Sequence, residues 1–321
     1  MSGRMVEPAN HSSSSTPSVT VGVPVYNGGQ YLAATLSALQ NQRLHDIEVL
    51  VADNASTDDS RKIAEEFAGT DSRFQILPSD VNRGATWNYN RLLDVASAPL
   101  FMWNMADDVT LPNHLLACRQ LLIDHPDAGL AFSRAVKINE RGELVGEFDD
   151  ASIDFFSASP AERVGLFLGH GLLHAAFSGL YRTEELREIG GLQPFFGQDV
   201  VLGIHMALRS PFAQSSEQTL QLRYHDGQMT KLLGSDPVKQ TRIFRPDHKS
   251  PFAFPQWYLT YRVLAESLRA PVSTPQHAQV IAAITRHWIL PNWRSLPFDI
   301  KRNLIRLFNG RYVGPYHTDD D

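Results

Sequence analysis

An apolar run, residues 100–105, leads into two adjacent carboxylates, Asp107 and Asp108. Two neighbouring carboxylates repel each other, and burying them unpaired is costly. A divalent cation resolves the conflict, because hard Mg2+ or Mn2+ prefers carboxylate oxygen and commonly bridges to phosphate. A solvated Asp-Asp turn ahead of a helix has the same spelling, since acidic residues are favoured at helix N-termini. Taken alone, the pair favours the turn. Two further clusters change the odds. Tyr26 and Asn27 follow the run 19–25, and Asp53 and Asn54 follow the run 47–51.

The elements that must position these clusters alternate. Apolar, β-branched runs at 19–25, 47–51, 74–77 and 100–105 read as strands. Segments 30–40, 57–67, 85–96 and 113–124 read as helices, the second capped by Ser56 or Thr57. Strand alternating with helix over the first ~125 residues argues for an α/β fold with a parallel sheet covered on both faces. All three polar clusters then fall on one edge of that sheet, where ligands bind in open α/β folds.

Composition narrows the function classes. The 321 residues are 43% hydrophobic and 20% charged, an ordinary balance for a globular protein with a large core. A formal net charge of −6 argues against a general nucleic-acid binder. The one cysteine, Cys118, permits no intrachain disulfide and falls on the apolar side of its helix, as a buried structural thiol would. No apolar run approaches the ~20 residues that span a bilayer, and the start lacks the pattern of a signal peptide. The expectation is a cytoplasmic protein. Residues 1–18, with four serines in a row, read as a disordered leader.

Four motifs occur in order: Val-Gly-Val-Pro-Val-Tyr-Asn (21–27), Val-Ala-Asp-Asn-Ala-Ser-Thr-Asp (51–58), Asn-Arg-Gly (82–84) and Ala-Asp-Asp (106–108) with Pro112. Their order and spacing resemble the nucleotide-sugar-binding half of family 2 glycosyltransferases of the GT-A fold, strongly over 19–123 and more weakly to about 230. The resemblance implies a mostly parallel, Rossmann-like mixed sheet flanked by helices. It places Pro24 and Tyr26 against a nucleoside, with Asn27 and Asn54 beside the donor. It assigns Asp53 to the base, and a carboxylate accepting a ring N–H suits uracil, thymine or guanine alike. A UDP-sugar is therefore the first expectation, with dTDP- and GDP-sugars open. Asp107 would approach the ribose or sugar, and Asp108 would hold Mn2+ or Mg2+ on the diphosphate. Many members carry another Asp where this chain has Met105. Arg83 is a candidate for the phosphate or sugar, with a solvated loop arginine as the alternative.

The same resemblance places a general base at the start of a helix beneath the acceptor. Asp199 takes that position, after Gln198 where an acidic residue is common. Such a base removes the acceptor hydroxyl's proton, and a single displacement inverts the sugar. His225, in a polar loop after a strand-like run at 220–224, is a candidate metal ligand, while His170 and His174 read as structural. The expected layout is a catalytic domain at 19–230, split near 125 into donor and acceptor halves, then a linker and helical extension at 231–321. Segment 235–255 reads as a linker or lid. Helices are expected at 256–268, 275–290 and 300–308, and 317–321 as a frayed end. The last helix is basic and amphipathic, which suits a membrane surface; a helical cap on the catalytic domain, or a homodimer contact, is the plainer reading. Two rivals stay open: a sugar nucleotidyltransferase, and a nucleotide-binding scaffold on a retired transferase fold.

Overall fold

The computed structural model describes residues 16–148, 153–156, 158–170, 173–228 and 236–309. The leader at 1–15, the expected boundary near 230 and the tail at 310–321 lie outside the described residues. The first half alternates as β1 (Val19–Val25), α1 (Gly29–Gln40), β2 (Ile47–Asp53), α2 (Ser60–Thr70), β3 (Phe74–Pro78), α3 (Ala85–Val95) and β4 (Leu100–Trp103). A short β5 (Val109–Thr110) and α4 (His114–Asp124) follow. β1 and β4 are buried along their whole length, as strands covered on both faces must be. Helices α1 and α4 cover one face with Leu32, Leu36, Leu115 and Cys118. Burial pushes the Cys118 thiol up to about 12, which suits an inert core position.

The second half runs β6 (Leu130–Ile138), β7 (Leu144–Glu147), α5 (Pro160–Gly169), α6 (Leu173–Phe177), β8 (Leu180–Arg182), α7 (Thr183–Ile189), α8 (Gln198–Arg209) and β9 (Phe212–Arg223). Among the described residues the sheet has nine strands in the order β3-β2-β1-β4-β8-β6-β9-β5, with β7 paired to β6. Strands β1 to β4 are parallel, and β8 joins β4 and β6 antiparallel. This is a mixed, mostly parallel sheet flanked by helices, as the resemblance implies. Register aligns the donor edge: Val25 pairs with Asp53, and Gly22 with Trp103. Gly22 also lets α3 close on the sheet, since a Cβ there would meet Leu92 at 3.0 Å.

The chain closes with α9 (Pro237–Phe244), α10 (Pro255–Arg269), α11 (Thr274–Ile284) and α12 (Leu296–Asn309). Leu259, Val263, Val280 and Ile284 of α10 and α11 enter the same apolar cluster as Phe167, Val201 and Ile204, so these helices are packed against the α5 and α8 layer.

Several local expectations are corrected. Ser56 and Thr57 do not cap α2, which starts at Ser60 after Asp59; they hydrogen-bond Asn27 instead. Thr183 lies inside α7, and its hydroxyl donates to Ala98 O at 2.7 Å. The polar excursion after β6 contains β7, whose Leu144 and Val145 face outward and so show no core-facing alternation. The apolar stretch at 173–181 divides into α6 and β8. The expected linker contains α9, capped by Asp236 accepting from Val238 N and Lys239 N.

Candidate functional site

The loops after β1 and β2 are zipped together at the donor edge. Asn27 sits in the left-handed region at φ 52°, its N–H donating to Ser56 Oγ and its Oδ1 accepting from Thr57 N–H at 2.8 Å. Gly28 N–H donates to Ser60 Oγ, and Gly29 N–H to Asp58 Oδ2, both at 2.9 Å. Asn27 is thus spent on holding the turn that presents Tyr26, which is exposed beside the buried Pro24. Asp53 is buried next to Pro24's strand; its Oδ1 accepts from Ser56 N–H at 3.2 Å, and its carbonyl from Arg91 at 2.8 Å.

Asn54 is a clamp. Its Nδ2 donates to Asn82 Oδ1 and Gly84 O, and its Oδ1 accepts from Arg83 N–H, fixing the loop before α3. The Arg83 side chain is exposed, with its guanidinium 4.9 Å from the Trp87 ring, which Arg91 also covers at 4.5 Å. These contacts hold an exposed cation beside the donor edge.

After β4 the chain turns through the two carboxylates. Thr35 donates to the carbonyls of both Ala106 and Asp108, pinning this turn to α1. Asp108 is buried, and its Oδ1 accepts from Arg223 N–H at 2.9 Å. Burial first, and the neighbouring Asp107 second, push the Asp108 carboxyl well above the usual carboxylate range, against the pull of Arg223. Asp107 Oδ2 lies 3.0 Å from His225 Nε2, so the histidine pairs with the first carboxylate rather than the second. Arg223 organises the cluster: its Nε donates to Asp107 O, its terminal nitrogen to Asn139 O and Glu140 O, and its plane lies 4.8 Å from the Tyr31 ring. The Tyr31 ring also lies 4.6 Å from that of His225, tilted by 55°. Two carboxylates and an imidazole suit Mn2+ or Mg2+ in donor type, and a cation would offset the like charges. Among the described residues no three His, Cys, Asp or Glu side chains are gathered closely enough to hold a metal by themselves.

Asp199 stands in the first turn of α8. The helix is entered through Gly197 at φ 79° with no side-chain cap, so Asp199 is not the cap its position allowed. Burial raises its carboxyl, against hydrogen bonds from the Val200 and Asp199 backbone and the charge of the exposed His174. Gln198, buried where Asp199 is half-buried, accepts from Thr86 Oγ1 at 2.7 Å and ties α8 to the start of α3. His170 ends α5, its N–H donating to Leu166 O.

Tyr89 links the two sides. Its hydroxyl is driven up by burial first and then by the charges of Asp107, Asp199 and Asp108. The same hydroxyl lies 3.1 Å from Met105 Sδ, where the resemblance would place another Asp. Tyr89, Arg223 and Tyr31 escape sequence reasoning. Tyr89 and Tyr31 read as helical apolar positions, and Arg223 as the end of a strand. A charged residue amid the apolar run 220–224 was the one available signal.

Residues 20–169 match the family model described as Glycosyl transferase family 2. The Bacillus subtilis protein described as putative glycosyltransferase EpsH is 33% identical over 107 residues, covering 33% of this chain and 30% of that protein. The Campylobacter jejuni GalNAc(5)-diNAcBac-PP-undecaprenol beta-1,3-glucosyltransferase is 25% identical over 203 residues, covering 61% of this chain and 62% of that protein. The matches therefore span less than two thirds of these relatives. The crystal structure of S. aureus TarS 1-349 in complex with UDP-GlcNAc superposes with a TM-score of 0.63 at 16% identity, covering 90% of this chain and 80% of that one, which is likeness of fold.

Proposed function

We propose, on the premise that this chain belongs through residues 20–169 to glycosyl transferase family 2, that it is an inverting glycosyltransferase moving a sugar from a nucleoside-diphosphate-sugar to an acceptor hydroxyl. The observation supporting this reading is the alignment of the ends of β1, β2 and β4, which puts Pro24, Asp53 and the Asp107-Asp108 turn on one edge of the sheet. Asp199, half-buried in the first turn of α8, is the candidate base on the acceptor side.

In this reading Pro24 and Tyr26 face the nucleoside, Asp53 accepts from the base, and Asp107 orients the ribose or sugar. Arg83 supplies positive charge near the phosphates. Asn27 and Asn54 act by holding loops, as their spent hydrogen bonds favour. Asp199 takes the acceptor hydroxyl's proton while the oxygen attacks the anomeric carbon. Its raised affinity for protons makes it a better base than a solvated carboxylate. Asp108 and His225 would hold Mn2+ or Mg2+, with Asp107 alongside. When bound, that ion offsets charge on the departing nucleoside diphosphate.

The Campylobacter relative is described as acting on an undecaprenol-linked acceptor, and TarS is solved with UDP-GlcNAc. The first supports an acceptor carried on a membrane lipid and the second a UDP-sugar donor, in polysaccharide or glycolipid synthesis. Among the described residues no helix is long and apolar enough to cross a membrane. The catalytic unit is drawn at 19–230, with 231–321 as its extension. The test is release of nucleoside diphosphate from a panel of UDP-sugars with Mn2+, with and without lipid-linked acceptors. Acceptor-dependent release supports the reading. Pyrophosphate formation from nucleoside triphosphate and sugar phosphate would assign a nucleotidyltransferase instead.

A further inference from the structure

Helix α12 is packed the wrong way round for water. Among its described side chains the buried ones are polar: Asp299 is 2% exposed and Asn303 is 4% exposed. Asp299 Oδ2 accepts from Gln256 N–H at 2.8 Å, and Asn303 Nδ2 donates to Ala253 O at 2.7 Å, locking the helix to the start of α10. Its outward side carries Phe298, Ile300, Leu304, Ile305 and Leu307, the last 61% exposed. A helix covering a soluble core buries its apolar stripe and exposes its polar one. Here the inward hydrogen bonds fix the reverse.

The outward face does not stand alone. Trp257 and Tyr261 of α10 and Trp293 just before α12 are also exposed, and Trp257 Nε1 donates to Leu296 O at 2.9 Å, joining the two helices. A patch of this kind marks an interaction surface. The charge beside it names the partner. Between residues 293 and 305 the sequence has Arg294, Lys301 and Arg302 against one acid, the buried Asp299, in a chain of net charge −6. Arg302 lies 4.8 Å from the Phe298 ring, and Arg294 lies 5.5 Å from the Trp293 ring, so cations border the apolar side chains. A second copy docking through the same face would set these cations against themselves, because a two-fold contact is self-complementary. An anionic surface would pair with them.

We propose that α12 and the exposed rings of α10 form a docking face for an anionic lipid layer, with the apolar side chains in the interface and the arginines and lysine at the headgroups. The face adjoins the loop that leads to α8. The Tyr258 ring lies 5.4 Å from that of Phe195, four residues before Asp199. The proposal deepens the reading of a lipid-borne acceptor, but its test does not depend on transfer.

The test is co-sedimentation of the full chain with vesicles of phosphatidylcholine alone or with about 30 mol% phosphatidylglycerol. The wild type should pellet with the anionic vesicles and much less with the neutral ones, and high salt should release part of it. The double variant Leu304→Glu, Leu307→Glu should lose about tenfold or more in vesicle affinity. Both side chains are exposed, so its unfolding temperature and nucleotide binding should stay unchanged. Lys301→Ser with Arg302→Ser should weaken binding to anionic vesicles alone. No sedimentation of the wild type, or sedimentation untouched by the Leu304→Glu, Leu307→Glu pair, overturns the proposal. So does self-association that this pair abolishes in the absence of lipid, which would give the face to a second copy. A chain that binds vesicles yet binds no nucleotide keeps this proposal and sinks the enzymatic one.

Discussion

The donor edge and the acceptor side of this molecule are held by different forces. At the donor edge, loops after parallel strands are clamped by short polar bonds: Asn27 to Ser56 and Thr57, and Asn54 to Asn82, Gly84 and Arg83. On the acceptor side, Asp199 rides on a helix start braced by packing. Gly197 is crowded by Leu259 of α10, and Gln198 is tethered to Thr86 across the cleft. The donor edge lies within the family match at 20–169, whereas Asp199, Arg223 and His225 lie beyond it. Local polar clamps brace the loops of the donor edge, while the helix start that bears Asp199 leans on α10 of the C-terminal helices.

The largest effect expected is on chemistry alone. Asp199→Asn should cut the turnover number by about 10²- to 10⁴-fold while nucleotide affinity is kept. Near-normal turnover would remove Asp199 from the role of base and dissolve the contrast between the halves. Asp108→Ala should do the opposite, abolishing the Mn2+-dependent part of nucleotide binding measured by calorimetry. Metal-independent binding in the wild type would count against this site.

Two substitutions probe the contrasting supports. Gly197→Ala forces a Cβ against Leu259 at a positive φ, and should cost about 1–3 kcal/mol in denaturant unfolding. It should also lower turnover more than donor affinity. Asn54→Ala leaves Arg83 N–H and Gly84 O short of partners, and should cost about 1–3 kcal/mol while weakening the donor more than the acceptor. If both variants behaved alike in donor affinity, the two halves would not be separately supported.

The smallest effect is in pH. Asp199 must be ionised to accept a proton, and burial raises its pKa above 3.8. Turnover should therefore fall as pH drops through a value above the ordinary carboxylate range. The charge on His174 opposes that rise, so His174→Ala should move the acid limb upward. A limb unmoved or shifted downward would place His174 outside the field of Asp199.

The donor half was legible because parallel strands buried on both faces are written as continuous apolar runs, and the polar residues that follow them necessarily share an edge. The division of labour among those residues was not. Asn27 and Asn54 look like ligand contacts in sequence, and only their partners 28–30 residues away reveal them as clamps. The pairing of His225 with Asp107 spans 118 positions, and no local pattern encodes it. The three-residue β8 is too short to carry a period, though it sits at the centre of the sheet. Helix α12 was readable as amphipathic, but its orientation was set by Asp299 and Asn303 meeting the backbone of 253–256.

The central claim is that the aligned ends of β1, β2 and β4 form a nucleoside-diphosphate site. The most direct measurement is thermal unfolding with UDP, GDP, dTDP and CDP, each with and without Mn2+, for the wild type and for Asp53→Ala. A ligand that binds only the folded chain raises its unfolding temperature. The account predicts a rise for one nucleotide, UDP first, that needs Mn2+ and shrinks in Asp53→Ala. No rise with any nucleotide, or a rise that Asp53→Ala leaves intact, would contradict it.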